Sequence, residues 1–176
     1  MGKCFKRSHH CGLLTAAEAG QQVTLSGWVA KRRDHGGLIF IDLRDRSGIV
    51  QIVIDTETAG DSFKVAEDMR NEFVVSITGC VRLRTEDTIN RNIPTGEIEV
   101  EASSLEILNS AKTPPFYIQD GVDVDENVRL RYRYLDLRRP EMQKNLILRH
   151  KVTKLMRDFL DNRSFIEIET PMLTKS

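Results

Sequence analysis

The chain has 176 residues, of which 40% are hydrophobic and 30% are charged, and its formal net charge at pH 7 is zero. This composition is typical of a globular protein and excludes disordered, fibrous and membrane-embedded classes. No apolar run approaches the roughly 18 residues of a membrane helix, and the basic first residues precede no apolar segment of a secretory signal. Since the net charge gives no general attraction to nucleic acid, any such binding must come from local clusters.

The three cysteines are Cys4, Cys11 and Cys80, and no two of them form a CxxC pair. An odd number of cysteines indicates free thiols in a reducing compartment, which predicts a cytoplasmic location. Cys4 and Cys11, with His9 and His10 between them, are too crowded at the terminus for the usual ligand spacing of a zinc site. We therefore predict no metal site in this chain.

The first half of the chain has the pattern of successive strands. Residues 22–33 alternate apolar and polar side chains, which predicts a half-buried strand. The turn D-H-G-G follows, and its two glycines permit positive φ. Residues 38–45 and 48–55 then form two further strands, the last of them rich in β-branched residues. This order predicts a three-stranded antiparallel meander.

Residues 60–71 change to helical spacing, and strand spacing returns at 72–84 and at 96–108, with a bulge expected near Ser103. Three strands, a helix and two strands are the element order of the five-stranded Greek-key barrel called the OB-fold. A small sandwich or an SH3-like barrel is the structural alternative. The helix between the third and fourth strands favours the OB-fold, so the predicted class is mainly β with helices.

The second part of the chain is predicted to begin with a linker at residues 110–139, because Pro114–Pro115 favours extended backbone. Asp125 or Asn127 is expected to cap a helix within it, and a longer helix is predicted at 140–162. Apolar residues recur along the long helix at the three- and four-residue spacing of a buried stripe. They are Leu148, Val152, Leu155, Met156, Phe159 and Leu160.

The chain ends in F-I-E-I-E-T-P-M-L-T-K-S, residues 165–176, which predicts a short strand that stops at Pro171. A strand so near the end has no partner after it. We therefore interpret residues 140–176 as the truncated start of a second domain that follows a first domain at 1–109.

The predicted barrel carries side chains suited to unpaired bases. An OB barrel binds single strands mainly across its second and third strands, using aromatic surfaces, base-edge readers and positive charge. Alternation allows Phe40 to face outward if Ile39 and Ile41 fill the core, and the opposite orientation is equally open from the pattern alone. The polar candidates near it in the predicted barrel are Arg33, Gln51, Arg82, Arg84 and Asn90.

No catalytic constellation is visible in the sequence. Asp42, Asp45 and Asp55 lie at turns beside arginines, where turn capping or salt bridging is favoured over acid–base work. Trp28 follows a glycine in the first strand and is interpreted as a packing residue. The sequence contains no G-x-x-x-x-G-K-[ST] phosphate loop, G-x-S-x-G elbow or H-E-x-x-H motif.

Residues 27–51, 95–100, 131–140 and 165–176 together resemble the N-terminal part of bacterial-type aspartyl-tRNA synthetases. The resemblance runs in order over nearly the whole chain. Lysyl- and asparaginyl-tRNA synthetases share the barrel and the following helix but differ in the segments L-D-L-R-R-P and F-I-D-L-R-D. A free-standing OB-fold binder of single strands is the alternative from another class, and it has no use for the linker and the long striped helix.

This resemblance implies that the barrel binds the splayed anticodon of aspartate tRNA. Some family members also charge asparagine tRNA, a choice on which His35 at the tip of the D-H-G-G turn is expected to bear. Phe40 matches the position that stacks on the central uridine, and Gln51 the position that reads its edge. The other matched positions are Arg33 and Glu99 around the first base, and Arg82, Arg84 and Asn90 near the third base and the backbone.

The resemblance also implies a hinge at residues 110–139 and the first signature motif of class II synthetases at 140–176. That motif is a helix and strand at a homodimer interface, with Pro171 as its characteristic proline. The full-length enzyme would use ATP and Mg²⁺ to form aspartyl-adenylate and then aspartyl-tRNA. Because the second and third motifs are not in this chain, we expect it to hold no cofactor, to catalyse nothing and to bind tRNA weakly.

Overall fold

The computed structural model describes residues 6–171, and of Asp61 only the backbone. Cys4 lies outside these residues. The chain divides into two compact units, with the boundary between Pro115 and Phe116. Within the described part, no helix is both long enough and apolar enough to cross a membrane.

The first unit contains a closed barrel of five strands: β1 Gln22–Asp34, β2 Leu38–Asp45, β3 Gly48–Asp55, β4 Val74–Leu83 and β5 Ile98–Asn109. Their order around the barrel is β1-β2-β3-β5-β4, and β4 closes it by pairing with β1. Only the β3–β5 pair is parallel among these strands. The OB-fold predicted from the element order is confirmed.

Aliphatic side chains fill the barrel because every second residue of a strand points inward. Leu25 and Val29 of β1 are fully buried, as are Ile39 and Ile41 of β2. Trp28, on the other face of β1, is half-buried. The two faces of β1 are therefore assigned as the alternation predicts.

A bulge in β5 lies at Ser103, as predicted. Thr78 pairs with Ser104 while Gly79 pairs with Ala102, so Ser103 has no opposite residue in β4. Glycine is required at position 79, because a Cβ there would lie 2.2 Å from the carbonyl oxygen of Glu101. This close approach lets β5 bend and keep pairing with β4 while the barrel closes.

The single helix predicted between β3 and β4 is instead two short helices, α1 Thr56–Ala59 and α2 Asp61–Glu67. Gly60 separates them with φ of 51°, a left-handed conformation that favours glycine and interrupts a helix. Ala66 and Met69 nevertheless face the barrel core and are buried. The helical spacing predicted for this segment is confirmed, whereas its continuity as one helix was wrong.

Asp45, buried at the end of β2, connects the N-terminal segment to the barrel. One carboxylate oxygen accepts from the Cys11 N–H at 2.9 Å and lies 3.2 Å from His10 Nδ1. The other accepts from Ser47 N–H at 2.7 Å and Ser47 Oγ at 2.5 Å. Burial alone would raise the pKa of Asp45, but these hydrogen bonds hold that pKa below its ordinary value. The predicted capping role of Asp45 matches this arrangement.

Asp45→Asn is expected to destabilise the barrel in a pH-dependent way. Because folding lowers the pKa of Asp45, its stabilising contribution is complete above the unfolded pKa of about 3.9 and is lost as pH falls through the lower folded pKa. The variant should therefore be less stable than wild type above about pH 5, and the difference should shrink below about pH 4. Urea unfolding followed by Trp28 fluorescence measures this, with exposed Asp87→Asn as control. A difference that is constant across this pH range would contradict the prediction.

A second buried polar contact fixes the segment between α2 and β4. Arg44 Nη2 donates to both carboxylate oxygens of Glu72, at 2.9 and 2.8 Å, and the two side chains are 10% and 8% exposed. Glu72 has φ of 65°, which is uncommon for a residue other than glycine. Its N–H donates to the Val29 carbonyl at 2.7 Å. These bonds hold the segment against β1 and β2.

The second unit contains α3 Glu126–Arg131, α4 Arg133–Asp136 and α5 Pro140–Asp161. Asp125 caps α3, one of the two caps that the sequence suggests. At the start of α5, Asp120 accepts from the Glu141 N–H with both carboxylate oxygens, at 3.1 and 3.2 Å. This side chain caps the long helix from a distant position, because Arg139 at the N-cap makes no side-chain cap.

Asp136 forms the polar centre of the second unit. It is fully buried and accepts from Arg129 Nε at 3.0 Å, from Arg139 Nε at 2.9 Å and from Arg133 Nη1. Burial would raise the pKa of Asp136, but the hydrogen bond from Arg129 and the charges of the three arginines keep it below its ordinary value. The L-D-L-R-R segment thus folds around one buried carboxylate.

Two predictions for this unit were wrong. Residues 165–171 form no strand, because the described residues of this unit contain no strand with which they could pair; residues 172–176 lie outside the described part. The apolar stripe of α5 is not buried either, since its six residues are between 45% and 69% exposed. The described residues of this unit provide no layer that covers the stripe.

Candidate nucleic-acid interface

A groove of about 530 Å³ lies on the outer face of the barrel. Outward side chains of β1, β2, β3 and β5 form it together with the end of β4 and the residues that follow. Twelve residues line it: Arg33, His35, Leu38, Phe40, Gln51, Val53, Arg82, Leu83, Arg84, Thr85, Thr88 and Glu99.

Strand register sets the polar side chains of the groove in one row across four strands. Asp42 of β2 pairs with Gln51 of β3. Gln51 directly precedes the β3–β5 pair of Ile52 with Val100, which places it beside Glu99. Glu99 in turn pairs with Arg82 of β4. Residues far apart in sequence therefore converge because the barrel is closed in this order.

A second row places the aromatic ring next to the first arginine. Arg33 of β1 pairs with Phe40 of β2, and Phe40 pairs with Val53 of β3. Phe40 is half-buried and lies on the face opposite to its buried neighbours in β2. Of the two orientations left open by the sequence, the structure has the outward one. A ring in this position offers an apolar surface on which a base can stack.

The ring of Phe40 contacts His35, which lies in the turn between β1 and β2. The ring centroids are 5.6 Å apart and the planes are nearly perpendicular, at 78°. The His35 N–H donates to the Leu38 carbonyl at 3.0 Å, and Gly36 and Gly37 adopt φ of 62° and 102°. The D-H-G-G turn therefore brings the imidazole to one end of the groove.

A chain of polar contacts runs across the groove. Arg33 Nη2 donates to Asp42 Oδ1 at 2.6 Å and to Gln51 Oε1 at 3.4 Å. Gln51 Nε2 donates to Glu99 Oε2 at 3.2 Å. Arg84 Nε lies 3.7 Å from the same Glu99 oxygen. Charge alternates along this chain, and each group is held by the next.

The two arginines at the end of β4 differ in environment. The Arg82 side chain, which lines the groove, is 58% exposed and pairs with Glu101, which does not line the groove. The Arg84 side chain is only 10% exposed, and its Nε and Nη1 are buried without a hydrogen-bond partner among the described residues. Buried donors without an acceptor cost about 1–3 kcal/mol each, so this guanidinium can gain from an incoming acceptor.

Six of the seven residues predicted for anticodon binding line this groove, and Asn90 does not. Asn90 instead shapes the loop between β4 and β5: its N–H donates to the Gly96 carbonyl at 3.1 Å, and its side chain accepts from the Asn92 N–H at 3.0 Å. Five lining residues carry no sequence motif and were not predicted: Leu38, Val53, Leu83, Thr85 and Thr88. For Leu38 and Val53, outward parity with Phe40 was a signal.

The remaining candidates give no second chemical site. Cys11 is buried, and burial, followed by the nearby charge of Asp45, raises the pKa of its thiol, which makes it unreactive. Asp42 binds Arg33, and Asp55 caps α1, as the capping interpretation predicts. Over residues 6–171, no group of three or more His, Cys, Asp or Glu side chains is placed to hold a metal ion. Pro171 is exposed.

Two known protein families match successive parts of the chain. Residues 23–108 match the family described as OB-fold nucleic acid binding domain. Residues 125–176 match tRNA synthetases class II (D, K and N). The fold and the groove thus define a nucleic-acid-binding barrel that precedes a class II synthetase segment.

Individual relatives narrow this class. The chain is 67% identical over 172 residues to the aspartate–tRNA(Asp/Asn) ligase of Heliobacterium modesticaldum, covering 98% of this chain and 28% of that protein. It is 66% identical over 170 residues to the ligase of the same name from Moorella thermoacetica, covering 97% and 28%. The crystal structure of asparaginyl-tRNA synthetase from Pyrococcus horikoshii shares the fold, with a TM-score of 0.81 and 24% identity over 97% of this chain and 39% of that one. The chain belongs to the aspartate–tRNA ligase family, and it spans less than a third of the length of these curated relatives.

Proposed function

We propose that the barrel is the anticodon-binding domain of an aspartate–tRNA ligase. The whole protein would join L-aspartate to ATP, release pyrophosphate and pass the aspartyl group to the terminal ribose of tRNA. The observation that carries this proposal is the groove, where one outward aromatic ring stands among amide, carboxylate and guanidinium groups. Unpaired RNA bases are recognised by this combination of stacking and edge contacts.

Within this proposal each side chain has a task that suits its chemistry. Phe40 stacks on the central base and Gln51 reads the edge of that base. Glu99 accepts hydrogen bonds from the ring and exocyclic nitrogens of a first-position guanine, beside Arg33. Arg82 and Arg84 provide donors for the third base or the backbone. Asn90 acts indirectly, through the shape of the loop that carries the groove wall.

The anticodon triplets of three stem-loop RNAs test the proposal. GUC serves aspartate, GUU asparagine and UUU lysine. We expect GUC and GUU to bind at least about tenfold more tightly than UUU, because a first-position uracil cannot give Glu99 the paired donors of guanine. GUU is included because both relatives are named as ligases for tRNA(Asp/Asn). A fourth stem-loop with the triplet GAC changes only the central base. Equal binding of all four RNAs would instead indicate a general single-strand binder.

His35→Leu is expected to change the ratio of the charging rates for aspartate and asparagine tRNAs in the full-length enzyme. The reason is the contact of its imidazole with Phe40 at the end of the groove. Both rates are measured with the two tRNAs under identical conditions, and His9→Leu serves as control because that ring contacts Ser8 away from the groove. An unchanged ratio would remove His35 from tRNA choice.

We also propose a homodimer of the whole protein through the stripe on α5. A contiguous apolar surface of this kind usually marks a site of protein–protein contact. Sedimentation of the chain should show self-association that Leu155→Lys weakens, because the substitution places a charge in the contact. His150→Lys, an exposed position on the side of α5 away from the stripe, is the control. A chain that stays monomeric at high concentration would count against this surface.

ATP and Mg²⁺ belong to the proposed reaction of the whole protein. We propose no role in binding them for residues 6–171. The proposed location is the cytoplasm, where tRNA is charged. Free thiols at Cys11 and Cys80 are consistent with that reducing compartment.

A further inference from the structure

We propose that Arg33 and Glu99 act as positioning residues that lock the side-chain amide of Gln51 in one orientation, and that this lock makes the barrel prefer uridine over cytosine at the central position. The inference rests on the proposed function, since it requires that Gln51 faces the central base.

A glutamine amide alone does not distinguish the two pyrimidines. It presents one acceptor and one donor side by side, and rotation by half a turn exchanges them. Uracil presents an acceptor at O4 and a donor at N3, whereas cytosine presents a donor at N4 and an acceptor at N3. At positions 3 and 4 of the ring, a freely rotating amide therefore matches either base, once in each orientation. Selectivity requires that something outside the amide fixes its direction.

The neighbours of Gln51 provide that direction. A guanidinium can only donate and an ionised carboxylate can only accept. Arg33 Nη2 donates to Gln51 Oε1 at 3.4 Å, and Gln51 Nε2 donates to Glu99 Oε2 at 3.2 Å. In the rotated amide, two donors would face each other on one side and two acceptors on the other. Since Gln51 is only 5% exposed, water cannot readily repair those mismatches.

The two positioning residues are themselves held. Arg33 donates to Asp42 at 2.6 Å, and Glu99 faces Arg84 at 3.7 Å. Each flanking group is thus held by a second, oppositely charged partner, through the same atom that contacts the amide. Stacking on Phe40 fixes the plane of the base, and in that plane the N4 donor and the N3 acceptor of cytosine face the locked amide in the wrong order. The free lone pair of Oε1 and the second N–H of Nε2 are then presented in the order that fits uracil.

The test compares stem-loop RNAs that differ only in the central base, GUC against GCC, bound to the 176-residue chain at one salt concentration. Wild type should prefer the uridine RNA by about tenfold or more. Glu99→Gln and Arg33→Gln should each reduce this preference to within about threefold, because a neutral amide neighbour can both donate and accept and tolerates either orientation. Uniform losses of affinity cancel in the ratio.

Glu101→Gln is the matched control for Glu99→Gln. It removes a carboxylate from the same strand, two residues away, that pairs with Arg82 and not with Gln51. It should keep the wild-type preference. The charge-exchanged variant Arg33→Glu with Glu99→Arg should reverse the amide and favour cytosine. If that variant does not fold, as judged by circular dichroism, the single substitutions decide the question.

Gln51→Ala separates failure of this inference from failure of the proposed function. If Gln51→Ala keeps the uridine preference, the groove does not read the central base through Gln51, and the base assignment of the proposed function is overturned. If Gln51→Ala loses the preference while Glu99→Gln and Arg33→Gln both keep it, the amide is not locked by its neighbours. In that case the proposed function stands and this inference is wrong. A folded charge-exchanged variant that keeps the full wild-type preference for uridine would also overturn the lock.

Discussion

Arg44→Met is expected to lower the free energy of unfolding of the barrel by about 3–5 kcal/mol. The substitution removes the guanidinium that neutralises the buried carboxylate of Glu72, and both side chains are at most a tenth exposed. The loss should be large because the carboxylate then has to be desolvated on folding without this charge beside it. Urea unfolding monitored by Trp28, the single tryptophan of the chain, reports on the barrel specifically.

The double variant Arg44→Met with Glu72→Gln separates lost charge pairing from lost packing. With the negative charge gone, much of the stability should return, since a buried ion pair is often no better than a neutral pair of similar volume. Arg46→Met, two residues further along the chain but exposed, is the control and should change stability by less than about 0.5 kcal/mol. A loss below about 1 kcal/mol for Arg44→Met would show that this contact contributes no more than a surface pair.

Phe40→Ala is expected to weaken binding of the GUC stem-loop by at least about tenfold. Stacking of a base on an aromatic ring contributes about 1–3 kcal/mol, and alanine offers no surface for it. Phe40→Tyr keeps a flat ring and should bind within about threefold of wild type. Dissociation constants are compared at one salt concentration, because any phosphate contribution to affinity depends on salt.

The salt dependence of these same constants provides an internal check on Phe40. Removing an uncharged ring should leave the slope of log K against log salt unchanged, since no cation that faces phosphate is lost. A dissociation constant for Phe40→Ala equal to that of wild type would exclude the ring from the binding site. The groove would then need a different occupant.

Strand positions and the barrel could be predicted from the sequence because a half-buried strand must alternate. Ile39 and Ile41 had to share a face, and that requirement placed Phe40 on the other one. The bulge at Ser103 was equally readable, since two consecutive polar residues break the alternation of β5. The local sequence pattern is sufficient to predict a strand where burial of one face forces apolar and polar residues to alternate.

Features that depend on partners could not be predicted in the same way. Residues 165–171 have the composition of a strand, yet a strand exists only where another lies beside it. Gly60 divides one helical pattern into two helices, because a residue with positive φ interrupts the helix whatever its neighbours prefer. The sequence also predicts which charged side chains lie near the groove, but not which of them contact one another. That pairing required the register that brings Gln51 beside Glu99.

If the barrel binds RNA as proposed, neutralisation within the groove has a consequence for how RNA arrives and leaves. Each of its three guanidiniums, on Arg33, Arg82 and Arg84, already lies against a carboxylate. Few counterions are therefore released when a loop docks, and long-range capture of any passing polyanion is weak. The dissociation rate then depends on short-range contacts, so a loop with the wrong bases dissociates quickly. A crowded pool of transfer RNAs can then be sampled without the surface becoming occupied by the most abundant one.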